Sequence, residues 1–233
     1  MPEKQLPLRV ICATKCSEEE FFSKTPTGIS LKNWENVTPA EVIVHYENRK
    51  GLSQLYNSAI EEAKQSPCIL VFVHDDVEFL DFFWGERIRS GLQKFDIVGL
   101  AGNSRRVPHQ PSWFFREIVD ENLFKDDQKY LSGTVGHLRD GEESISYYGP
   151  VGKKCKLIDG VLIAAQSRTL IESKTNFDEQ FSFHFYDMDF CRSAEKNSLM
   201  LGTIGLSINH ASGGSYDSKW LSSYKSYIKK WNN

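Results

Sequence analysis

At 233 residues and a net charge of −3, the chain is long enough for a substantial core and lacks the basic surplus that nucleic-acid binding needs. No apolar run is long enough to span a bilayer and residues 1–5 hold no hydrophobic signal region, so the expectation is a cytoplasmic protein. Cys12, Cys16, Cys68, Cys155 and Cys191 sit mostly in apolar runs and read as buried thiols rather than a disulfide framework.

In chain order, residues 8–13 form a first strand, followed by a polar turn at Thr14. Ser17 and Glu20 have capping-box spacing, so a short helix carrying Phe21 and Phe22 starts there and is broken by Thr25-Pro-Thr-Gly28. Residues 41–46 make a second strand. Leu52, Leu55, Tyr56, Ala59, Ile60 and Ala63 then recur at helical spacing up to Pro67. Residues 68–73 are an unbroken apolar run of strand length, which reads as a strand buried on both faces. A helix through Phe82, Phe83, Ile88 and Leu92 and a strand at residues 96–101 complete a βαβ rhythm, which argues for a mostly parallel sheet flanked by helices.

The rhythm fails over residues 102–152, where Trp113-Phe114-Phe115 and a hairpin turning at Asp140-Gly141 suggest an insertion that either covers one side of a site or extends the sheet. Residues 156–166 form a strand interrupted at Asp159-Gly160, where glycine marks a bulge or the close approach of a ligand. Phe181, Phe183 and Phe185 alternate as on a strand face, which would turn His184 and Tyr186 the other way. A helix over residues 189–197 and a strand over residues 201–208 follow, the latter delivering Asn209-His210 to a glycine-serine turn that ends at Ser215. The expected organisation is a single domain over residues 1–233. Its nucleotide-binding half is residues 1–101, and residues 102–233 hold the insertion, the acceptor side and a C-terminal helix.

Three features carry chemistry: Asp75-Asp76 ending a buried strand, Tyr186-Asp187-Met188-Asp189 opening a late helix, and His210 ending the last strand. Carboxylates before a helix read either as caps or as ligands. Carboxylate and imidazole together suit a six-coordinate Mn²⁺ or Mg²⁺ shared with phosphate oxygens.

With these motifs in place, the sequence resembles the inverting GT-A glycosyltransferases of family 2, in particular their compact bacterial branch. The resemblance rests on Ala13-Thr14 after the first strand, Asn48-Arg-Lys-Gly51-Leu52 with Asn57 after the second, His74-Asp75-Asp76-Val77, Tyr186-Asp187, and His210-Ala-Ser-Gly-Gly-Ser215. The family's Glu-Asp dyad keeps its aspartate here as Asp187, while Tyr186 stands where the glutamate would be. The resemblance implies a GT-A fold, one Rossmann-like sheet with a small hairpin insertion. It also implies a nucleotide-diphospho-sugar donor, a UDP-sugar first, and a hydroxyl acceptor on a glycan or a lipid- or protein-linked saccharide. Asp76 and His210 would hold Mn²⁺ or Mg²⁺, and Ala13, Thr14, Asn48 and Asp75 would meet the nucleotide. Asp187 would be the general base, and Asp159, Gly160, His184, Tyr186 and Asp189 would surround the sugar or the acceptor. Asp189 is expected to crowd Asp187 and raise its pKa.

A carbohydrate-binding relative without turnover and a sugar nucleotidyltransferase are the alternatives. The second lacks the glycine-rich basic loop after the first strand. The C-terminal residues 219–231 place Trp220, Leu221, Tyr224, Ile228 and Trp231 at helical spacing among Lys219, Lys225, Lys229 and Lys230. They read either as a helix packed on the domain or as a weak peripheral contact with the inner face of a membrane.

Overall fold

The computed structural model describes residues 5–139, 141–214 and 216–232. The predicted turn residue Asp140, the turn end Ser215 and residues 1–4 lie outside them. β1 (Leu8–Ala13) leads through the predicted capping box at Ser17 into α1 (Glu18–Lys24). Thr25 then does more than break the helix: its amide caps the end of α1, and its hydroxyl accepts from Gly28 N to start α2 (Pro26–Trp34), with proline at the first helical position. β2 (Glu41–His45), α3 (Leu52–Glu62) and β3 (Ile69–Val73) follow as the apolar periodicity requires, and all five residues of β3 are buried.

Past β3 the elements shorten. β4 (Val77–Phe79), α4 (Trp84–Leu92), β5 (Ile97–Gly99) and β6 (Ala101–Asn103) occupy the stretch in which one helix and one strand were expected. β7 (Phe115–Val119) and β8 (Asn122–Lys125) form a separate hairpin. The predicted hairpin is β9 (Leu131–Arg139) and β10 (Glu142–Gly149). β11 (Lys154–Cys155) precedes the interrupted strand, which resolves into β12 (Leu157–Ile158) and β13 (Leu162–Gln166), and α5 (Ser167–Ser173) follows. α6 (Tyr186–Lys196) starts three residues earlier than periodicity placed it. The last predicted strand divides into β14 (Leu201–Thr203) and β15 (Ile208–His210) before α7 (Ser218–Trp231).

The main sheet runs β11-β14-β5-β13-β3-β1-β2, and a second runs β12-β6-β9-β15-β4 with β10 on β9. The expectation of a mostly parallel sheet needs correcting. β13 is antiparallel to both β3 and β5 and β11 to β14, so among the described residues half of the pairings are antiparallel. That reversal serves the site. Leu162 pairs with Val73, so the residues before β13 lie at the same sheet edge as the residues after β3, and His74 N donates to Val161 O at 3.2 Å. In the second sheet β15 is antiparallel to β4, with His210 opposite Val77. Residues far apart in sequence thus reach one rim, and a single apolar cluster lies beneath both sheets.

Residues 181–185 are turns rather than a strand. Phe181 and Phe185 are buried while Phe183 is 53% exposed, so the alternation there reflects two core anchors in a loop. All five cysteines are unpaired among the described residues, as expected. No described helix is long and apolar enough to cross a membrane.

Candidate active site

The loop after β3 is held from below by α2. Thr27, fully buried, places its hydroxyl 2.6 Å from His74 O and 2.7 Å from Val77 O and accepts from Val77 N at 3.0 Å, while its amide donates to Asp75 O. No helix follows Asp75-Asp76 directly, so the capping alternative for that pair falls away. The loop and β15 bring His74, Asp76 and His210 together, with one potential ligand atom from each within 4.8 Å of the others. Asp76 Oδ2 lies 3.4 Å from His210 Nε2, and Asp76 Oδ1 is buried with no hydrogen-bond partner. An orphaned buried carboxylate oxygen is costly unless something else meets it, and carboxylate plus two imidazoles is a donor set suited to a divalent cation. The three residues therefore fit a metal.

Burial opposes charge on Asp76 and His210, but their mutual contact overrides it: Asp76 is held well below the ordinary carboxylate range and His210 is raised. Burial lowers the pKa of His74 despite the nearby Asp76 charge, favouring the neutral ring that ligates metals. His74 Nε2 lies 2.9 Å from Tyr186 Oη, which in turn donates to Gly160 O at 2.7 Å. With the tyrosine proton committed to the carbonyl, His74 donates from Nε2 and keeps its lone pair on Nδ1. Tyr186, standing where the family pattern has glutamate, is thus a buried brace between a ligand candidate and the Asp159-Gly160 turn.

The other side of the cleft carries the carboxylates. Asp187 Oδ2 accepts from Gly160 N at 3.1 Å and Oδ1 from Met188 N at 2.8 Å. Asp187 does not cap α6, whose N-cap is Phe185 in the left-handed region at φ 66° without a side-chain cap. Burial, and after it the charge of Asp159, push the Asp187 carboxyl up to about 7. Asp159 accepts from Trp113 Nε1 at 2.6 Å and from Val161 N at 2.8 Å. Gly160 has no room for a side chain, since a Cβ there would stand 2.3 Å from Tyr186 Oη.

A cleft of about 550 Å³ unites these groups and lies within the usual size range for small-molecule sites. Asp159, Gly160, His184, Tyr186, Asp187 and His210 of the expected residues line it, joined by His74. Trp113, Phe114 and Phe115, with Tyr148 from β10, form a wall, so residues 102–152 do cover one side of the site as well as extending the second sheet.

Ala13, Thr14, Asn48 and Asp75 stand apart from this lining, at the carboxyl ends of β1, β2 and β3. Thr14 O accepts from Asn48 N, and both side chains are engaged in their own turns. Asp189 is a correction. Residues two apart on a helix do not share a face, so Asp189 turns into the core, fully buried, bonded to Lys230 Nζ and to Trp231 Nε1 at 2.8 Å. The neighbour that crowds Asp187 is Asp159 instead. Sequence reasoning missed His74 as a ligand candidate, because it is the turn at Asp75-Asp76 between β3 and β4, and not a local period, that brings it beside Asp76.

A family model described as a glycosyltransferase-like family matches residues 13–228. No curated protein matches the chain. Among solved structures, the catalytic domain of Drosophila β1,4-galactosyltransferase 7 in complex with xylobiose is similar at a TM-score of 0.50 and 7% identity. The match covers 94% of this chain and 79% of that one. GalNAc-T7 with UDP, GalNAc and Mn²⁺ is similar at 0.51 and 12% identity, covering 97% of this chain and 48% of that one. At such identities the likeness concerns the fold, and it is the GT-A fold that the motifs implied.

Proposed function

The chain belongs to the glycosyltransferase-like family, and from that premise we propose that it transfers a sugar from a nucleotide-diphospho-sugar, a UDP-sugar first, to a saccharide hydroxyl with inversion at the anomeric carbon. The observation that carries the reading is the meeting of His74 and His210, beside Asp76, with Asp187 in one cleft. A mutant of the neighbouring galactosyltransferase 7 has been seen with manganese, UDP-Gal and xylobiose, and GalNAc-T7 with UDP, GalNAc and Mn²⁺, which supports the same ligand classes here.

His74, Asp76 and His210 would hold Mn²⁺ or Mg²⁺, which when bound neutralises charge on a departing diphosphate. Asp187 takes the proton from the acceptor hydroxyl as its oxygen attacks the anomeric carbon. The bond from that carbon to the diphosphate breaks, and the diphosphate leaves with the electron pair. A single attack from the opposite face inverts the centre, and a carboxyl poised near 7 is well matched to this proton transfer. Asp159, oriented by Trp113, offers its remaining lone pairs to sugar hydroxyls beside the aromatic wall.

The test is a thermal-shift panel of UDP, GDP, CDP, ADP and TDP with and without Mn²⁺, followed by hydrolysis of the matching nucleotide-sugars. Stabilisation by one diphosphate only when Mn²⁺ is present, with slow release of sugar from its conjugate, is expected. Binding without turnover on any conjugate or acceptor would instead favour a non-catalytic relative.

A further inference from the structure

Arg139 is the one lysine or arginine among the described residues that line the cleft. It ends β9, inside the stretch over which the βαβ rhythm fails. Residues two apart in a strand share a face, and His137, two before it, meets His210 O at 3.3 Å through Nδ1. Arg139 Nη2 donates to Ser212 O at 3.0 Å, and Ser212 Oγ lies 3.3 Å from His210 Nε2. The guanidinium therefore stands one residue away from the candidate metal cluster. Its other N–H groups have no acceptor among the described residues. A Cβ on Gly213 would come to 3.2 Å from Nη2, so the glycine there leaves the guanidinium its space.

The rest of the cleft is poorly disposed to phosphate. Asp159 and Asp187 line it and Asp76 lies at its edge, while a nucleoside diphosphate carries more negative charge than one divalent cation neutralises. We infer that Arg139 binds the β-phosphate of the donor, using the guanidinium edge not committed to Ser212. This inference rests on the glycosyltransferase reading. Arginine presents a planar fork that matches phosphate oxygens and stays charged at every working pH. When the bond to the sugar breaks, the β-phosphate gains charge, so the contact strengthens as the leaving group departs.

The experiment is calorimetric titration, in Mn²⁺, of the diphosphate, monophosphate and nucleoside of the base that the parent binds best, into parent, Arg139→Ala and Arg139→Lys. Arg139 is exposed at a strand end, so its replacement leaves the core intact. The alanine variant should lose about tenfold to a hundredfold in diphosphate affinity, the range for a hydrogen bond to a charged group. It should bind the nucleoside as the parent does and show a weaker salt dependence, with the lysine variant between the two. Unchanged diphosphate affinity in the alanine variant overturns the inference alone. An equal loss for all three ligands overturns it too, because Arg139 would then act only by holding Ser212. Failure of the parent to bind any nucleoside diphosphate overturns the glycosyltransferase reading and this inference with it.

Discussion

At the scale of single residues, Asp187, the proposed base, would join catalysis to stability. Its carboxyl is raised to about 7, first by burial and then by Asp159. A base must be ionised, so turnover should rise about tenfold per pH unit below 7 and level off above it. The stability term has the opposite sign. The folded state holds this proton over a pH range in which the unfolded chain has lost it, so stability falls as pH rises towards 7. Asp187→Asn keeps an acceptor for Gly160 N and removes the charge. It should bind donor as the parent does, lose transfer by about two to four orders of magnitude, and melt higher than the parent at pH 8 but not at pH 5. Parent-like turnover would move the base to Asp159, and a lower melting temperature at pH 8 would contradict the burial argument. Tyr186 works one step removed, by fixing the His74 ring. Tyr186→Phe leaves Gly160 O and His74 Nε2 without their partner, and Gly160→Ala displaces the same hydroxyl. Both should weaken Mn²⁺ affinity by about tenfold to a hundredfold, the usual range for a group that orients a ligand. Mn²⁺ titration followed by electron paramagnetic resonance reads this directly.

At the scale of elements, α7 shows how packing decides what periodicity leaves open. Trp220 and Tyr227 are buried against Phe185, and Lys230 reaches Asp178 and Asp189. Much of the aromatic face that could have met a membrane therefore covers the start of α6, where it packs on the Phe185 ring. Lys230→Met strands the buried Asp189 carboxylate with Trp231 alone. It should cost roughly 2–4 kcal/mol in urea denaturation, somewhat below the value for a fully buried pair because Lys230 is partly solvated. Loss of less than about 1 kcal/mol would make the pair incidental on the scale of surface ion pairs. Strand ends were the legible part of the site. An apolar run stopping at His74-Asp75-Asp76, or at His210, announces itself because the run must be buried and the charges cannot be. The direction of β13 was not legible, since antiparallel pairing of Leu162 with Val73 is a contact between distant residues and leaves no local period. Strands of three residues, such as β4 and β14, are too short to show any alternation. The partner of Asp189 lies forty-one residues away, at Lys230, beyond the reach of any motif.

At the scale of the whole molecule, the two larger sheets, the β7-β8 hairpin and the helices α6 and α7 meet at one cleft, with a cluster of ligand candidates on one side and a raised carboxyl on the other. The antiparallel strands β13 and β15 make that convergence possible, because they deliver Asp159-Gly160 and His210 to the rim where β3 ends. The central claim is that His74, Asp76 and His210 hold the cation through which a nucleoside diphosphate binds. Asp76 Oδ1 has no partner in the fold, but Oδ2 faces His210 Nε2 at 3.4 Å, so Asp76→Ala should lower the melting temperature modestly in the absence of metal while leaving the protein folded. The most direct measurement is calorimetric titration of UDP, or of whichever nucleoside diphosphate binds best, into the parent and Asp76→Ala with and without Mn²⁺. The parent should bind only when Mn²⁺ is present, and Asp76→Ala should fold normally and show no Mn²⁺-dependent binding. Equal binding by the parent without Mn²⁺, or parent-like binding by the variant, would contradict the account.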